Sequence, residues 1–228
     1  MHTTIFRRTR LLFGCISLFL LTFAVPSALL AAPSVNETAV LTPPMGILGS
    51  VNAIDIDGNT AVVGAAGARV GAPQGGTVYV LVRTNAVSSW EIQAQLFTDE
   101  LANGNRFGES VALNGNTILV GEPPFNFQAG RVHVFTRSGT TWSREAVLQP
   151  GDSAIDDNFG ASVDYEDNEA IIGAPYAQSR PNVFGGAAYI FDRSGSTWSQ
   201  TARLVPNDLS SGDQFGSAVS INGFYAIV

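Results

Sequence analysis

Few side chains in this chain could do chemistry, and most of them are carboxylates. The acid-rich connections are Asp99-Glu100, Asp152 with Asp156-Asp157, and Asp208 with Asp213. Asp152, Asp156 and Asp157 are the best-placed set, close enough in sequence to converge on a hard cation such as calcium, which takes roughly six to eight oxygen ligands. The competing reading is a solvated loop whose Asp side chains cap turns and oppose aggregation. Asp55-Ile56-Asp57-Gly58-Asn59 also has calcium-like letters, but its position matches a hairpin, which embeds Asp55 and Asp57 in strand geometry. His133 lies on an alternating stretch with no paired Asp or Ser signature nearby, so neither a catalytic triad nor a histidine zinc site can be assembled around it. It reads as an ordinary strand residue. No spacing selects a carboxylate pair for glycoside hydrolysis. Cys15 is the only cysteine and falls in an apolar leader, so the mature chain can form no disulfide, thiol nucleophile or thiolate metal site. No catalytic residue and no cofactor is expected, with calcium at the acid loops the one cation still in play.

That leader must be set aside before fold reasoning. Arg7, Arg8 and Arg10 precede an apolar run from Leu11 to Leu30, with Ala28, Ala31 and Ala32 behind it. This is the pattern of a secretory signal peptide spanning residues 1–31. A permanent anchor is the rival, because the run approaches the roughly 20 residues that span a bilayer; Pro26 and the small-residue end favour cleavage, leaving no stable membrane span. Leu12-Phe13-Gly14-Cys15 resembles a lipoprotein box, although the apolar stretch continues past Cys15. The whole chain of 228 residues is 45% hydrophobic and 14% charged, with net charge -7 and no Lys among its 12 cations. Such apolar content excludes disorder, and the acidity argues against a nucleic-acid partner. Removal of the three leader arginines takes the net charge to -10.

The remaining chain repeats. Trp90, Trp142 and Trp198 recur at intervals of 52 and 56 residues, and Phe107-Gly108, Phe159-Gly160 and Phe215-Gly216 recur at the same intervals. Gly121-Glu122-Pro123 matches Gly173-Ala174-Pro175, and a more diverged copy carries Gly64-Ala65-Ala66. The units are 32–47, an N-terminal segment, then repeats at 48–106, 107–158 and 159–214, and the start of a fourth at 215–228. Each repeat reads as four short strands. Ser110 to Leu113 and Thr117 to Val120 flank a tight turn at Asn114-Gly115, with counterparts at Asp57-Gly58, Asp167-Asn168 and Asn222-Gly223. A third strand, Arg131 to Phe135, turns at Ser138-Gly139 into a fourth from Trp142 to Leu148. No helical period is sustained. The fold class is therefore all-β, with four-stranded antiparallel sheets of the β-propeller kind. The recurrent phenylalanines would fill the space between sheets, and the glycines after them would allow close backbone approach.

Phe-Gly opening a repeat, Gly-Ala-Pro closing its second strand, and an aromatic third strand such as Gly186-Ala187-Ala188-Tyr189-Ile190-Phe191 resemble the FG-GAP repeat of integrin α-subunit propellers and secreted bacterial proteins. The resemblance covers residues 48 to 228. It implies a seven-bladed ring with an extracellular or cell-surface role, commonly adhesion or ligand binding, and calcium in Asp-rich loops of some blades. Here the loops Pro124 to Ala129 and Tyr176 to Phe184 hold no Asp or Glu.

Ala39-Val40-Leu41-Thr42-Pro43 repeats the end of the fourth strands, Ala146-Val147-Leu148-Gln149-Pro150 and Ala202-Arg203-Leu204-Val205-Pro206, so a ring-closing strand is expected at 39–43. About three blades and part of a fourth fall short of the roughly 385 residues that seven blades need. An incomplete ring with open strand edges, prone to self-association, is the expectation. The functional expectation is a secreted or surface scaffold for a protein or carbohydrate ligand, without catalysis; the rival is the propeller portion of an exported hydrolase.

Overall fold

In the computed structural model the described residues are 51–68, 75–85, 89–98, 106–124, 129–152, 154–223 and 225–228. The leader, the strand expected at 39–43 and Asp99-Glu100 lie outside them. Among the described residues no helix forms. The first sheet holds β1 (Ala53–Asp57), β2 (Thr60–Ala65), β3 (Thr77–Val82) and β4 (Glu91–Leu96). The second holds β5 (Ser110–Asn114), β6 (Thr117–Glu122), β7 (Arg131–Ser138) and β8 (Thr141–Leu148). The third holds β9 (Ser162–Glu166), β10 (Glu169–Ala174), β11 (Ala187–Ser194) and β12 (Thr197–Leu204), and a fourth begins with β13 (Ser220–Asn222) and β14 (Tyr225–Ile227). Each of the first three sheets is a sequential antiparallel meander, with the first strand at one edge and the fourth at the other, and the fourth sheet is the two-stranded hairpin β13-β14. The first strands β1, β5, β9 and β13 neighbour one another from sheet to sheet. This is the arrangement of propeller blades, and among the described residues the blades do not close into a ring.

The first hairpins differ from the sequence reading by one residue. Asn114 pairs with Thr117 and Asp57 with Thr60, so the turn residues are Gly115-Asn116 and Gly58-Asn59, while Asp167-Asn168 stands as expected. Likewise Asn222 pairs with Tyr225, which makes Asn222 a strand end. The reason is conformational: the first turn position needs positive φ, and Gly58 (56°) and Gly115 (57°) supply it, leaving the polar residue before each glycine in the strand. The third hairpin behaves alike, with Ser138 paired to Thr141 and Gly139 at φ 62°.

Apolar seams join the sheets. Phe107 is fully buried between Val62, Val78 and Val80 of the first sheet and Val111, Ile118 and Phe135 of the second. Phe159 occupies the same place between Leu119, Val132 and Val134 of the second sheet and Ile172, Tyr189 and Phe191 of the third. Each ring is met edge-on: Phe107 by Phe135 at 6.1 Å and Phe159 by Tyr189 at 5.5 Å, the geometry favoured by aromatic quadrupoles. The backbone hooks both neighbours. Phe107 N–H donates to Gly75 O in the first sheet at 3.2 Å, and Gly108 N–H donates to Gly121 O in the second at 3.0 Å. Gly160 N–H repeats the second bond to Gly173 O at 3.0 Å.

Pressed between these hooks, the backbones leave no room for a side chain. A Cβ placed on Gly64 would lie 2.1 Å from Gly108 O, one on Gly121 would lie 2.1 Å from Gly160 O, and one on Gly173 would lie 1.9 Å from Gly216 O. The glycine of each Gly-Ala-Pro therefore answers to the Phe-Gly of the following sheet. Gly121→Ala is expected to cost about 2–4 kcal/mol, as an overpacked core does. Gly139→Ala, which meets nothing within 4 Å, is expected to cost only the roughly 1–2 kcal/mol of a left-handed backbone; urea denaturation of the two variants measures the difference.

Candidate functional site

The connections before Phe159-Gly160 and Phe215-Gly216 each contain a small built turn. Asp157 Oδ2 accepts Ala154 N–H at 2.8 Å, and Asp213 Oδ2 accepts Ser210 N–H at 2.7 Å in the following copy. Asp156 has φ 69° where that copy has Gly212 at φ 94°. Asp152 Oδ2 lies 3.0 Å from Arg203 Nε. The three carboxylates proposed as cation ligands are thus neighbours, but Asp152 is held by a guanidinium and Asp157 by a backbone amide. Asp208 is exposed. Burial pushes the Asp157 carboxyl above its ordinary range, with the Ala154 amide acting in the opposite direction.

Asp55 and Asp57 hold no loop open either. Asp55 Oδ1 accepts its neighbour Ile56 N–H at 2.8 Å, and Oδ2 reaches into the second sheet to accept Leu113 N–H at 2.6 Å. Asp57 Oδ2 accepts Gly115 N–H at 2.8 Å. Asp164 repeats the Asp55 arrangement, accepting Tyr165 N–H at 2.8 Å in its own sheet and Ile221 N–H at 2.8 Å in the fourth. Ala112 stands at this position in the second sheet. Two carboxylates therefore serve the equivalent edge amides of four sheets. Asp55 is pushed up by burial, against the two amides that favour its charged form. Calcium needs oxygens turned toward one point, whereas these are turned toward N–H groups. Among the described residues no group of three or more His, Cys, Asp or Glu is arranged to hold a metal.

The outer strands carry a second polar system that the sequence did not reveal. At Val80/Leu81, Val134/Phe135 and Ile190/Phe191 the register shifts, so no residue stands opposite Gln93, Glu145 or Thr201 in the ladder. A bulge of this kind re-aims a side chain. Gln93 Oε1 accepts Trp142 Nε1–H at 3.0 Å, and Glu145 Oε1 accepts Trp198 Nε1–H at 3.2 Å, each from the next sheet. Arg193 Nη2 donates to Glu145 Oε2 at 2.6 Å. Arg83, Arg137 and Arg193 stack over Trp90, Trp142 and Trp198 at 4.7, 5.0 and 5.7 Å. Trp142 and Trp198 are rim clamps between sheets.

His133 departs most from expectation. It is 1% exposed, because both faces of β7 are covered, and its Nε2 lies 2.5 Å from Glu122 Oε2. Arg131 Nε lies 3.1 Å from the same oxygen. His133 Nδ1 has no partner. The ring meets Phe107 edge-on at 5.2 Å, as Tyr189 meets Phe159. The signal for this cluster was present in the repeat: where the second sheet has Glu122, Arg131 and His133, the first has Ala65, Thr77 and Tyr79, and the third has Ala174, Ala187 and Tyr189. Three positions change together. In the other sheets the tyrosine hydroxyl finds its partner on the fourth strand, Gln95 Nε2 at 3.2 Å from Tyr79 and Arg203 Nε at 3.2 Å from Tyr189. In the second sheet that position is Val147, and the carboxylate comes from β6 instead.

Glu122→Ala alone is expected to cost about 3–5 kcal/mol, as removing one partner of a buried charged set does. Glu122→Ala/Arg131→Thr/His133→Tyr/Val147→Gln, which installs the first sheet's solution, is expected to melt within about 1 kcal/mol of the parent or above it. For Asp157 the sign runs downward with pH: a carboxyl raised in the folded state destabilises when ionised, so its penalty appears as pH rises through the carboxylate range and is relieved as pH falls. Asp157→Asn keeps the oxygen facing Ala154 and is expected to raise the urea midpoint at pH 7, with the gain shrinking below pH about 4.

A search of curated proteins found no match. The family model described as FG-GAP repeat matches residues 90–135, 142–191 and 198–228. Two of these matches run from one of the recurrent tryptophans, Trp90 or Trp142, to the aromatic third strand of the next sheet, ending at Phe135 and Phe191, and the third begins at Trp198. They take in the seam tryptophan, the Phe-Gly hook and the glycine pressed against its neighbour. This chain belongs to the FG-GAP repeat family.

Proposed function

We propose that the protein is an exported, non-catalytic scaffold that presents its connecting loops to a protein or carbohydrate ligand outside the cell or on its surface. The observation that carries this reading is the contrast between the interior and the loops. The carboxylates Asp55, Asp157 and Asp164 and the clamp residues Glu145 and Trp198 are spent on holding turns and sheets together. The connecting loops, by comparison, present large side chains to solvent: Ile155, between the second and third sheets, and Tyr176 and Phe184, between β10 and β11, are each half exposed or more. These loops are knit by backbone, with Tyr176 N–H donating to Asp157 O at 3.2 Å and Gly212 N–H donating to Phe184 O at 3.0 Å. Aromatic residues on a braced surface suit recognition, since little freedom is lost when they are covered.

Export is supported by the basic and apolar pattern of residues 1–31. Among the described residues no helix is long and apolar enough to cross a membrane. Membership of the FG-GAP family supports a scaffold role, as these repeats are typically non-catalytic.

Binding of the purified chain to panels of immobilised extracellular proteins and glycans tests the reading. Tyr176→Ala/Phe184→Ala is expected to weaken the captured interaction by about tenfold, the loss of two interface anchors, with an unchanged circular dichroism spectrum. Absence of any ligand in both panels, indifference to the double variant, or turnover of ester, glycoside or phosphodiester substrates would each count against it.

A further inference from the structure

Side chains that the fold requires recur from sheet to sheet, and Arg203 does not. The column that holds Gln95 opposite Tyr79 in the first sheet and Val147 opposite His133 in the second holds Arg203 opposite Tyr189 in the third. A glutamine suffices for the tyrosine, since Gln95 Nε2 already meets Tyr79 Oη at 3.2 Å. Arg203 reaches further. Its Nε lies 3.2 Å from Tyr189 Oη and 3.0 Å from Asp152 Oδ2, its Nη2 donates to Gln178 O at 2.6 Å, and its guanidinium lies 5.7 Å from the Tyr189 ring centroid. Tyr176 N–H donates to Asp157 O at 3.2 Å nearby. Three segments are thus drawn together: the connection before Phe159, strand β12, and the loop between β10 and β11. Asp152, Ile155, Tyr176 and Gln178 of these joined segments all face solvent, with Ala177 buried between the last two.

We propose that this junction binds a neutral carbohydrate, with Asp152 and Arg203 holding a vicinal diol and Tyr176 covering the apolar face of the sugar. The inference rests on the reading of the connecting loops as a binding surface, and it chooses among that surface's ligands. Charge is the first argument. Asp152 and Arg203 neutralise each other, so an ionic ligand would meet one like charge or have to break the pair. A hydroxyl both donates and accepts. Two adjacent hydroxyls can therefore donate to Asp152 Oδ1 and accept from Arg203 Nη1, atoms that none of the bonds above uses. Preorganisation is the second. Tyr189, Asp152 and Gln178 together fix the guanidinium, whose side chain is 27% exposed, so little rotamer freedom is lost when a ligand arrives. The third is the ring beside the polar groups. Tyr176 is 50% exposed on a stretch whose backbone is bonded at Tyr176 and at Gln178, which joins apolar area to a few fixed polar atoms, the composition of a small-ligand site.

Binding of the purified chain to a printed array of neutral glycans, beside glycans bearing carboxylate or sulfate groups, tests the proposal. Neutral glycans are expected to be bound. Arg203→Gln gives Tyr189 the partner that Tyr79 has in the first sheet, so it should keep the circular dichroism spectrum and weaken binding about tenfold. Asp152→Asn, at an exposed position, should do the same, and Tyr176→Ala should weaken binding severalfold. Glu91→Gln, on β4 of the first sheet, should leave it intact. A failure to bind any neutral glycan, binding confined to the acidic glycans, or binding indifferent to both Arg203→Gln and Asp152→Asn overturns the proposal. Capture of a protein through Tyr176 and Phe184 with no glycan bound overturns the carbohydrate while the scaffold reading stands, and a chain that captures neither overturns both.

Discussion

The close approach of two backbones, glycine to glycine, is the constraint on which the other features depend. Gly64, Gly121 and Gly173 each face the carbonyl oxygen of the next sheet's Phe-Gly glycine at a separation that excludes a Cβ. With the sheets that near, Phe107 and Phe159 are fully dehydrated and Phe215 partly so, and the ring supplies the apolar area that holds the seam. Ser110 and Ser162 fit the same contact, donating their hydroxyls to Gly160 O and Gly216 O at 2.8 Å each. The spacing also sets the reach of the rim, where Gln93 and Glu145 can meet a neighbour's tryptophan only because a bulge turns them outward.

Within that frame the second sheet solves a common problem differently. A polar ring stands at the middle of the third strand in each sheet, buried against a seam phenylalanine at His133 and Tyr189 and half-buried at Tyr79, and it requires one polar partner. Tyr79 and Tyr189 take theirs from the exposed fourth strand, while His133 takes Glu122 from inside and Arg131 comes with it. A buried charged set is a costly substitute for a tyrosine hydroxyl near solvent. It exchanges rim contact for interior specificity, and it leaves Nδ1 of His133 without a partner.

Most of the fold was legible in the sequence because it is written several times. The linked recurrence of Trp, Phe-Gly and Gly-x-Pro gave the period, the strand count and the family, since each marks a steric requirement that every seam repeats. The turn positions slipped by one at Asn114, Asp57 and Asn222 because Asn-Gly and Asp-Gly name a turn without saying which residue begins it. Polar function was far less legible. Asp55 and Asp164 act across sheets, and the sequence separation of 58 residues between Asp55 and Leu113 carries no local signal. Asp157 looked like a ligand and is a turn clamp, a distinction that depends on where one oxygen points. The bulges at Gln93 and Glu145 leave no trace in composition. Glu122 was visible as the middle letter of a Gly-x-Pro, but only comparison of whole columns would have joined it to His133 and Arg131.

The paired carboxylates along the first strands carry an arithmetic of their own. Asp55 satisfies Ile56 and Leu113, and Asp164 satisfies Tyr165 and Ile221, so one acid serves two sheets and the intervening sheet can hold Ala112. The bonding unit along this edge is a couple of blades, although the sequence repeats one blade at a time. Couples tile an even ring without remainder. In a seven-bladed ring one edge amide must be left over, to be met by a different acceptor, and the symmetry suggested by the repeats would be broken at that single place.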